Sequence, residues 1–201
     1  MDRHLIVFIK NPEEGKVKTR IAHTLGNAGA LEIYLTLIDI VHQVVINTDA
    51  FRHVFYSEFV NKNDRWSDTS FYKHLQIGHN LGDRMKNAFD SVFNVFSEQD
   101  TSKVVIIGSD CPYLTPSILN DAFFYLEKAD FVVGPTYDGG YYLLGMKIFA
   151  PNIFDDIEWS TENVFDQTIN RIKNQGSTFE LLPTLHDIDK EEDWIRYKTD
   201  H

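Results

Sequence analysis

The stretch that most constrains this chain is Val104-Val105-Ile106-Ile107-Gly108-Ser109-Asp110-Cys111-Pro112. Its run of β-branched residues puts apolar side chains on both faces of an extended segment, the pattern of a strand buried on both sides. Such strands belong to parallel sheets covered by helices on either face. Gly108 and Pro112 stop the strand, and Asp110 follows it as a lone carboxylate. Ligands of open α/β sheets bind at the carboxyl ends of the strands, so Asp110 stands where a ligand would be met. The other reading is a turn aspartate that caps the next helix.

The rest of the chain repeats the alternation. Leu5 to Ile9 is a second buried strand. A helix opens near Thr19, and Gly26-Asn27 interrupts it. Leu31, Tyr34, Leu35, Ile38, Val41 and Val45 then recur at helical spacing. His53 to Tyr56 and the shorter Leu75 to Ile77 read as strands, with polar loop from Asn61 to Ser70 between them. Leu81, Met85, Ala88, Phe89, Val92, Phe93 and Phe96 make one apolar helix face. A helix starts at Thr115-Pro116, with proline in its first turn. Next come a strand at Phe131 to Val133, a glycine-rich loop at Gly134 to Gly140, and a strand at Tyr141 to Met146 with antiparallel as its option. Thr161 to Asn174 reads as a helix, Thr178 to Leu182 as a last strand, and the acidic tail as a short terminal helix. Strands alternating with helices predict one α/β domain over 1–201, with a mostly parallel sheet and helices on both faces.

Composition narrows the partners. The 19 basic and 30 acidic residues give a net charge of −11, which argues against nucleic acid or an anionic membrane as partner. The charge is uneven: Lys10, Lys16, Lys18 and Arg20 crowd the loop after the first strand, while Asp187, Asp189, Glu191, Glu192 and Asp193 crowd the tail. A basic loop in an acidic protein suits a small anionic ligand. The single cysteine, Cys111, excludes an internal disulfide and suits a reducing compartment. No stretch reads as a membrane span, and the chain enters a strand at once with no signal peptide, so the expected location is cytoplasmic.

Lys10, Lys16, Lys18 and Arg20 can neutralise phosphate oxygens, and Gly15 would let backbone N–H groups come close to them. The loop is neither a Walker A sequence nor a Gly-x-Gly-x-x-Gly fingerprint, and a solvated basic loop is its ordinary alternative. Asp110 suits Mg²⁺ or Mn²⁺, which take one or two carboxylates plus phosphate oxygens. The second carboxylate must come from Asp138, Asp187 or Asp189, each of which also reads as a turn or cap residue. Cys111 reads as a packed thiol. Tyr141 and Tyr142 alternate faces, so one faces the pocket and the other the core, while Trp159 either packs or lines the pocket.

Taken together, Phe8-x-Lys10-x-Pro12, Gly15-x-Val17-Lys-Thr-Arg20, Leu81-Gly-x-Arg-Met85, Gly108-Ser-Asp-Cys-Pro112, Asp138-Gly-Gly-Tyr-Tyr142 and Trp159-Ser-Thr161 resemble the bacterial GT-A-type glycosyltransferases of the radical-SAM/selenodomain-associated transferase 1 family. The resemblance implies the nucleotide-diphospho-sugar-transferase fold. It implies that Lys10, Gly15, Lys16, Lys18 and Arg20 hold donor phosphates, that Gln76 and Gly82 lie near the nucleotide, and that Asp110 holds the metal with Asp187 or Asp189. Asp138, Gly139 and Gly140 would border the acceptor or sugar pocket; beside the resemblance, Asp110 and Asp138 are the catalytic candidates, Asp138 as general base, and Tyr141 and Trp159 are candidates for the pocket wall. The sequence departs from that pattern at Gly108, where many relatives carry the first carboxylate of Asp-x-Asp, and at Asp187-Ile-Asp-Lys-Glu-Glu-Asp193, where relatives read Asp-x-Asp-Thr-Pro-Glu-Asp.

Three activities follow as expectations. The first is metal-dependent transfer from a nucleotide-diphospho-sugar to a small-molecule acceptor. The second is nucleotidyl transfer with release of pyrophosphate, favoured by the density of cations. The third is nucleotide binding without catalysis.

Overall fold

The computed structural model describes residues 2–95 and 102–200; Phe96, expected on a helix face, lies outside them. The strands are β1 (Arg3–Ile9), β2 (Phe51–Tyr56), β3 (Tyr72–Leu75), β4 (Lys103–Ile107), β5 (Phe131–Pro135), β6 (Tyr141–Met146) and β7 (Phe179–Leu181). They form one seven-stranded sheet in the order β3-β2-β1-β4-β6-β5-β7. β6 runs antiparallel to both of its neighbours, and every other pairing is parallel. The order reverses between β1 and β4, and at such a switch point the diverging crossovers leave a crevice at the carboxyl ends of the strands. The expected α/β architecture is therefore present, and β6 takes the antiparallel option.

Among the described residues five α-helices cover the two faces: α1 (Thr19–Ile46), α2 (Leu81–Val95), α3 (Pro116–Tyr125), α4 (Val164–Asn174) and α5 (Glu191–Asp200). Strand alternation divides the core. Leu5, Val7, Ile9, Val105 and Ile107 meet Tyr34, Ile38 and Val41 of α1 and Leu119 and Phe123 of α3. Ile6, Phe8, Val104 and Ile106 meet Met85 and Phe89 of α2 and Ile169 and Ile172 of α4. β4 is buried along its whole length, as its composition requires. Thr115 caps α3, its side chain accepting a bond from Ile118 N–H, with Pro116 in the first turn.

Some boundaries shift. The third strand lies at Tyr72–Leu75 rather than Leu75–Ile77, because its partner β2 ends at Tyr56, opposite Leu75; within it Lys73 reaches Asp64 (3.1 Å) and Asp68 (3.2 Å). α4 begins at Val164, since Thr161 is used in a turn, its hydroxyl donating to Glu158 O at 2.7 Å. One expectation is overturned. By length and composition α1 could cross a bilayer, with a mean hydropathy of 1.5 over 18 residues. Here its apolar residues are taken up by the sheet and by α5, and it bends at Gly26, whose φ of 74° is left-handed.

The loop after β1 is fixed by Asn11, which is buried. Its Oδ1 accepts bonds from Glu58 N–H (2.9 Å) and Phe59 N–H (3.3 Å), and its Nδ2 donates to Phe59 O (2.8 Å). Replacing Asn11 by Ala strands these backbone groups, so a loss of about 2–3 kcal/mol is expected in urea unfolding. Asn11→Asp keeps the acceptor and should cost less; equal losses would show that the Nδ2 bond carries the effect.

Candidate active site at the carboxyl edge

A cleft of about 830 Å³ opens at the carboxyl edge. Lys10, Lys18, Arg20, Gln76, Asp110, Asp138, Gly140, Tyr141, Trp159, Asp187 and Asp189 all line it. Gly15, Lys16, Gly82 and Gly139 do not, although each of the last two shapes a wall from behind.

The four cations of the loop have separate fates. Lys16 turns outward to Glu13 (2.7 Å) and Glu58 (2.9 Å). Lys18 turns inward: its side chain is only 6 % exposed, and its ammonium meets Asp110 Oδ2 at 3.0 Å and donates to Ile188 O at 2.6 Å. Arg20 pairs with Asp189 at 2.9 Å. Lys10 faces the cleft without a carboxylate partner among the described residues. A loop that reads as a block of positive charge thus presents one unengaged cation. Gly15 (φ 80°) turns the chain between them.

Asp110 is held in a network. Lys10 N–H donates to Tyr34 Oη (2.7 Å), which lies 3.2 Å from Ser109 Oγ. The backbone carbonyl of Asp110 accepts a bond from Ile188 N–H at 2.9 Å. This stitch brings the tail to the end of β4. Asp187 and Asp189 then join Asp138, with oxygens of the three carboxylates within 4.8 Å of one another. Asp110, the expected metal ligand, pairs with Lys18 beside this group, and Asp138 is the third member of it. Asp138 is also the turn residue the sequence allowed, its Oδ1 accepting from Thr136 Oγ1 (2.5 Å) and Gly140 N–H (3.1 Å). Burial, then the charges of Asp138 and Asp189, push the Asp187 carboxyl up to about 7. Three hard oxygen donors that resist joint ionisation fit Mg²⁺ or Mn²⁺.

The other wall comes from α2 and the segment before α4. A Cβ on Gly82 would lie 2.3 Å from the Trp159 indole, so Gly82 is the seat on which Trp159 rests. A Cβ on Gly139 (φ 89°) would lie 2.0 Å from Glu162 O, so this glycine admits the same segment. Gln76 Nε2 donates to Ile9 O (3.0 Å) and Phe55 O (2.9 Å), tying together the ends of β1 and β2. Tyr141 packs with the α2 and α4 layer and Tyr142 with the α1 and α3 layer, so the faces alternate as expected, but the split into one pocket and one core residue does not hold, because both reach the cleft. Cys111 is buried and its thiol is pushed up to about 12, chiefly by desolvation, which suits packing rather than nucleophilic chemistry. Sequence reasoning gave no role to Tyr34, which anchors Ser109, or to Arg84, which lines the cleft. Arg84 lies within the Leu81-Gly-x-Arg-Met85 motif, but an arginine on a helix gives no local signal of where it points. A Cβ on Gly108 would have no neighbour within 4 Å, so the missing carboxylate is not excluded by space.

A family model described as an uncharacterized protein conserved in bacteria (DUF2064) matches residues 40–161. A crystal structure described as a putative nucleotide-diphospho-sugar transferase from Desulfovibrio desulfuricans G20 is 30% identical, covers 100% of this chain and 88% of its own, and superposes with a TM-score of 0.89. CMP:2-keto-3-deoxy-manno-octonic acid synthetase complexed with CTP is 10% identical, with 99% and 98% covered and a TM-score of 0.60. A nucleotidyl transferase from Methanothermobacter is 12% identical, with 99% and 97% covered and a TM-score of 0.66. At those last two identities the likeness is one of fold. No curated protein matches the chain.

The raised Asp187 carboxyl has a definite sign. The folded chain holds this proton up to about pH 7, whereas an unfolded one releases it at about pH 4, so the group's contribution to stability is lost as pH rises between the two. Asp187→Asn should therefore be more stable than wild type at pH 8, on the order of 1–2 kcal/mol after allowance for partial solvation, and equal to it near pH 4. Mg²⁺ or Mn²⁺ should raise the wild-type melting temperature at pH 8 and do so far less in Asp187→Asn. A difference that does not vary with pH would contradict the assignment.

Proposed function

Because the chain belongs to the family of uncharacterized bacterial proteins designated DUF2064, and its cleft gathers acidic and basic groups at the switch point of the sheet, we propose that it is a divalent-metal-dependent transferase acting on a nucleotide-diphospho-sugar donor. The observation that carries this reading is the convergence of Asp138, Asp187 and Asp189 within 4.8 Å, next to the Asp110–Lys18 pair. These three carboxylates would hold Mg²⁺ or Mn²⁺. When bound, the ion supplies charge neutralisation for the diphosphate that leaves.

The chain's own groups do the remaining work. Lys10 supplies a cation toward the donor phosphates. Arg20 is exposed at the rim and can offer its fork once it exchanges Asp189 for a phosphate. Lys18 is too deeply engaged to move freely; it holds Asp110 and the tail in register. Asp138 keeps Oδ1 in its turn, which leaves Oδ2 to face the ion or to accept the acceptor's proton. The cation density that favoured a triphosphate from sequence is reduced, since Lys16 lies outside the cleft and Lys18 is neutralised within it. That supports a diphosphate donor over nucleotidyl transfer.

The test is product analysis with common nucleotide-sugars and nucleoside triphosphates, with Mn²⁺ or Mg²⁺. Release of a nucleoside diphosphate from one nucleotide-sugar is the expected result, with kcat/KM reduced about 10²–10³-fold in Asp187→Asn. Pyrophosphate release from a triphosphate would make the chain a nucleotidyltransferase. Nucleotide binding that is indifferent to metal and gives no product would leave a binding protein.

A further inference from the structure

The cations already assigned to the donor all come from the β1–α1 loop, on the layer that α1 shares with Leu5, Val7 and Val105. Arg84 reaches the same cleft from the opposite layer. It stands on α2, whose Met85 and Phe89 pack under Ile6, Phe8 and Ile106. The sheet lies between the two sources of positive charge, so Arg84 and the loop cations flank the cleft from different sides.

Arg84 is half-buried, and no carboxylate among the described residues lies within ion-pair distance of it. The nearest acid in sequence, Asp83, is spent on its own helix start, where Oδ2 accepts from His79 N–H and Asn80 Nδ2, both at 3.2 Å. Arg84 is nonetheless aimed: its Nε donates to Gly78 O at 3.3 Å. That carbonyl can lie there only because residue 78 is glycine. Its φ is 147°, and a Cβ would meet Asp83 Cβ at 2.6 Å and Arg84 N at 2.7 Å. With Nε anchored, the terminal nitrogens remain for a ligand. Trp159, its indole seated against Gly82, lines the same cleft. A preset guanidinium in a cleft that also holds a fixed indole suits a ligand with a planar anionic end and a less polar body.

We infer that Arg84 and Trp159 form the subsite for the second substrate, and that this substrate carries a phosphate ester or a carboxylate. The inference rests on the transferase reading above and adds the chemical class of the acceptor, for which the guanidinium sets specificity.

Titrating inorganic phosphate, and separately acetate, while following Trp159 emission tests it, with Trp159→Phe identifying the signal. Wild type should respond to at least one anion. Arg84→Gln should weaken that response about ten-fold or more, Arg84→Lys should restore part of it, and Arg20→Gln should leave it unchanged. A phosphate response points to a phosphate ester, an acetate response to a carboxylate. Thermal stabilisation by nucleotides should persist in Arg84→Gln and fall in Arg20→Gln. The inference is overturned if wild type responds to neither anion, if Arg84→Gln responds as wild type, or if Arg84→Gln loses nucleotide stabilisation as Arg20→Gln does. If no nucleotide stabilises any variant while the Arg84-dependent anion response stands, the donor reading fails and the anion subsite survives.

Discussion

The site depends on one nearly buried ammonium. Lys18 sits at the start of α1 with φ 46°, and its Nζ bonds Asp110 at the end of β4 and the carbonyl of Ile188, 170 residues away in sequence. A charge with so little water must be paired, and removing its partners would leave it buried and uncompensated. Asp110 therefore cannot be treated as a free carboxylate, nor the tail as an appendage. Ile188 is itself fully buried among Ile21, Ala30, Ile33 and Leu37 of α1, with Trp194 and Tyr197 of α5 packed around them. Apolar packing brings the tail near, and the lysine fixes its register.

The remaining geometry follows from that register. With the tail fastened, Asp187 and Asp189 arrive beside Asp138 at the turn after β5, and three carboxylates share a volume where all three cannot easily be ionised. The antiparallel course of β6 matters here. It brings the chain back from the turn at Asp138 toward the opposite edge, so Asp138 hangs from a tight hairpin between two buried strands. Both sides of the acidic group are thus mounted on rigid backbone.

Much of this was legible in the sequence, and the remainder was hidden for identifiable reasons. The run at Val104–Ile107 implied a doubly covered central strand, and alternation placed Tyr141 and Tyr142 in opposite layers, because strand period and burial are local properties. Lys16 and Lys18 are two residues apart and look equivalent, yet one faces solvent and the other the interior. Glu13, three residues back, helps Glu58 hold Lys16 outward, but Lys18 is turned in by Asp110 and Ile188, which lie far away in sequence. The resemblance puts Gly82 near the nucleotide, but its role as the seat of Trp159 had no local signal, because only tertiary packing creates that contact. The apolar length of α1 misleads for a related reason: a sheet on one side and α5 on the other both draw on it.

The open space at Gly108 has a consequence for how such proteins diverge. The residue lies at the strand end, lines the cleft, and has room for a side chain. Every glycine codon is one base from an aspartate or a glutamate codon, so the strand end stands one mutation from a second carboxylate beside Asp110. The tail already provides a second acidic cluster. A lineage built on this backbone can therefore shift its anionic charge between the strand end and the tail by point substitution, with no rearrangement of the fold in between.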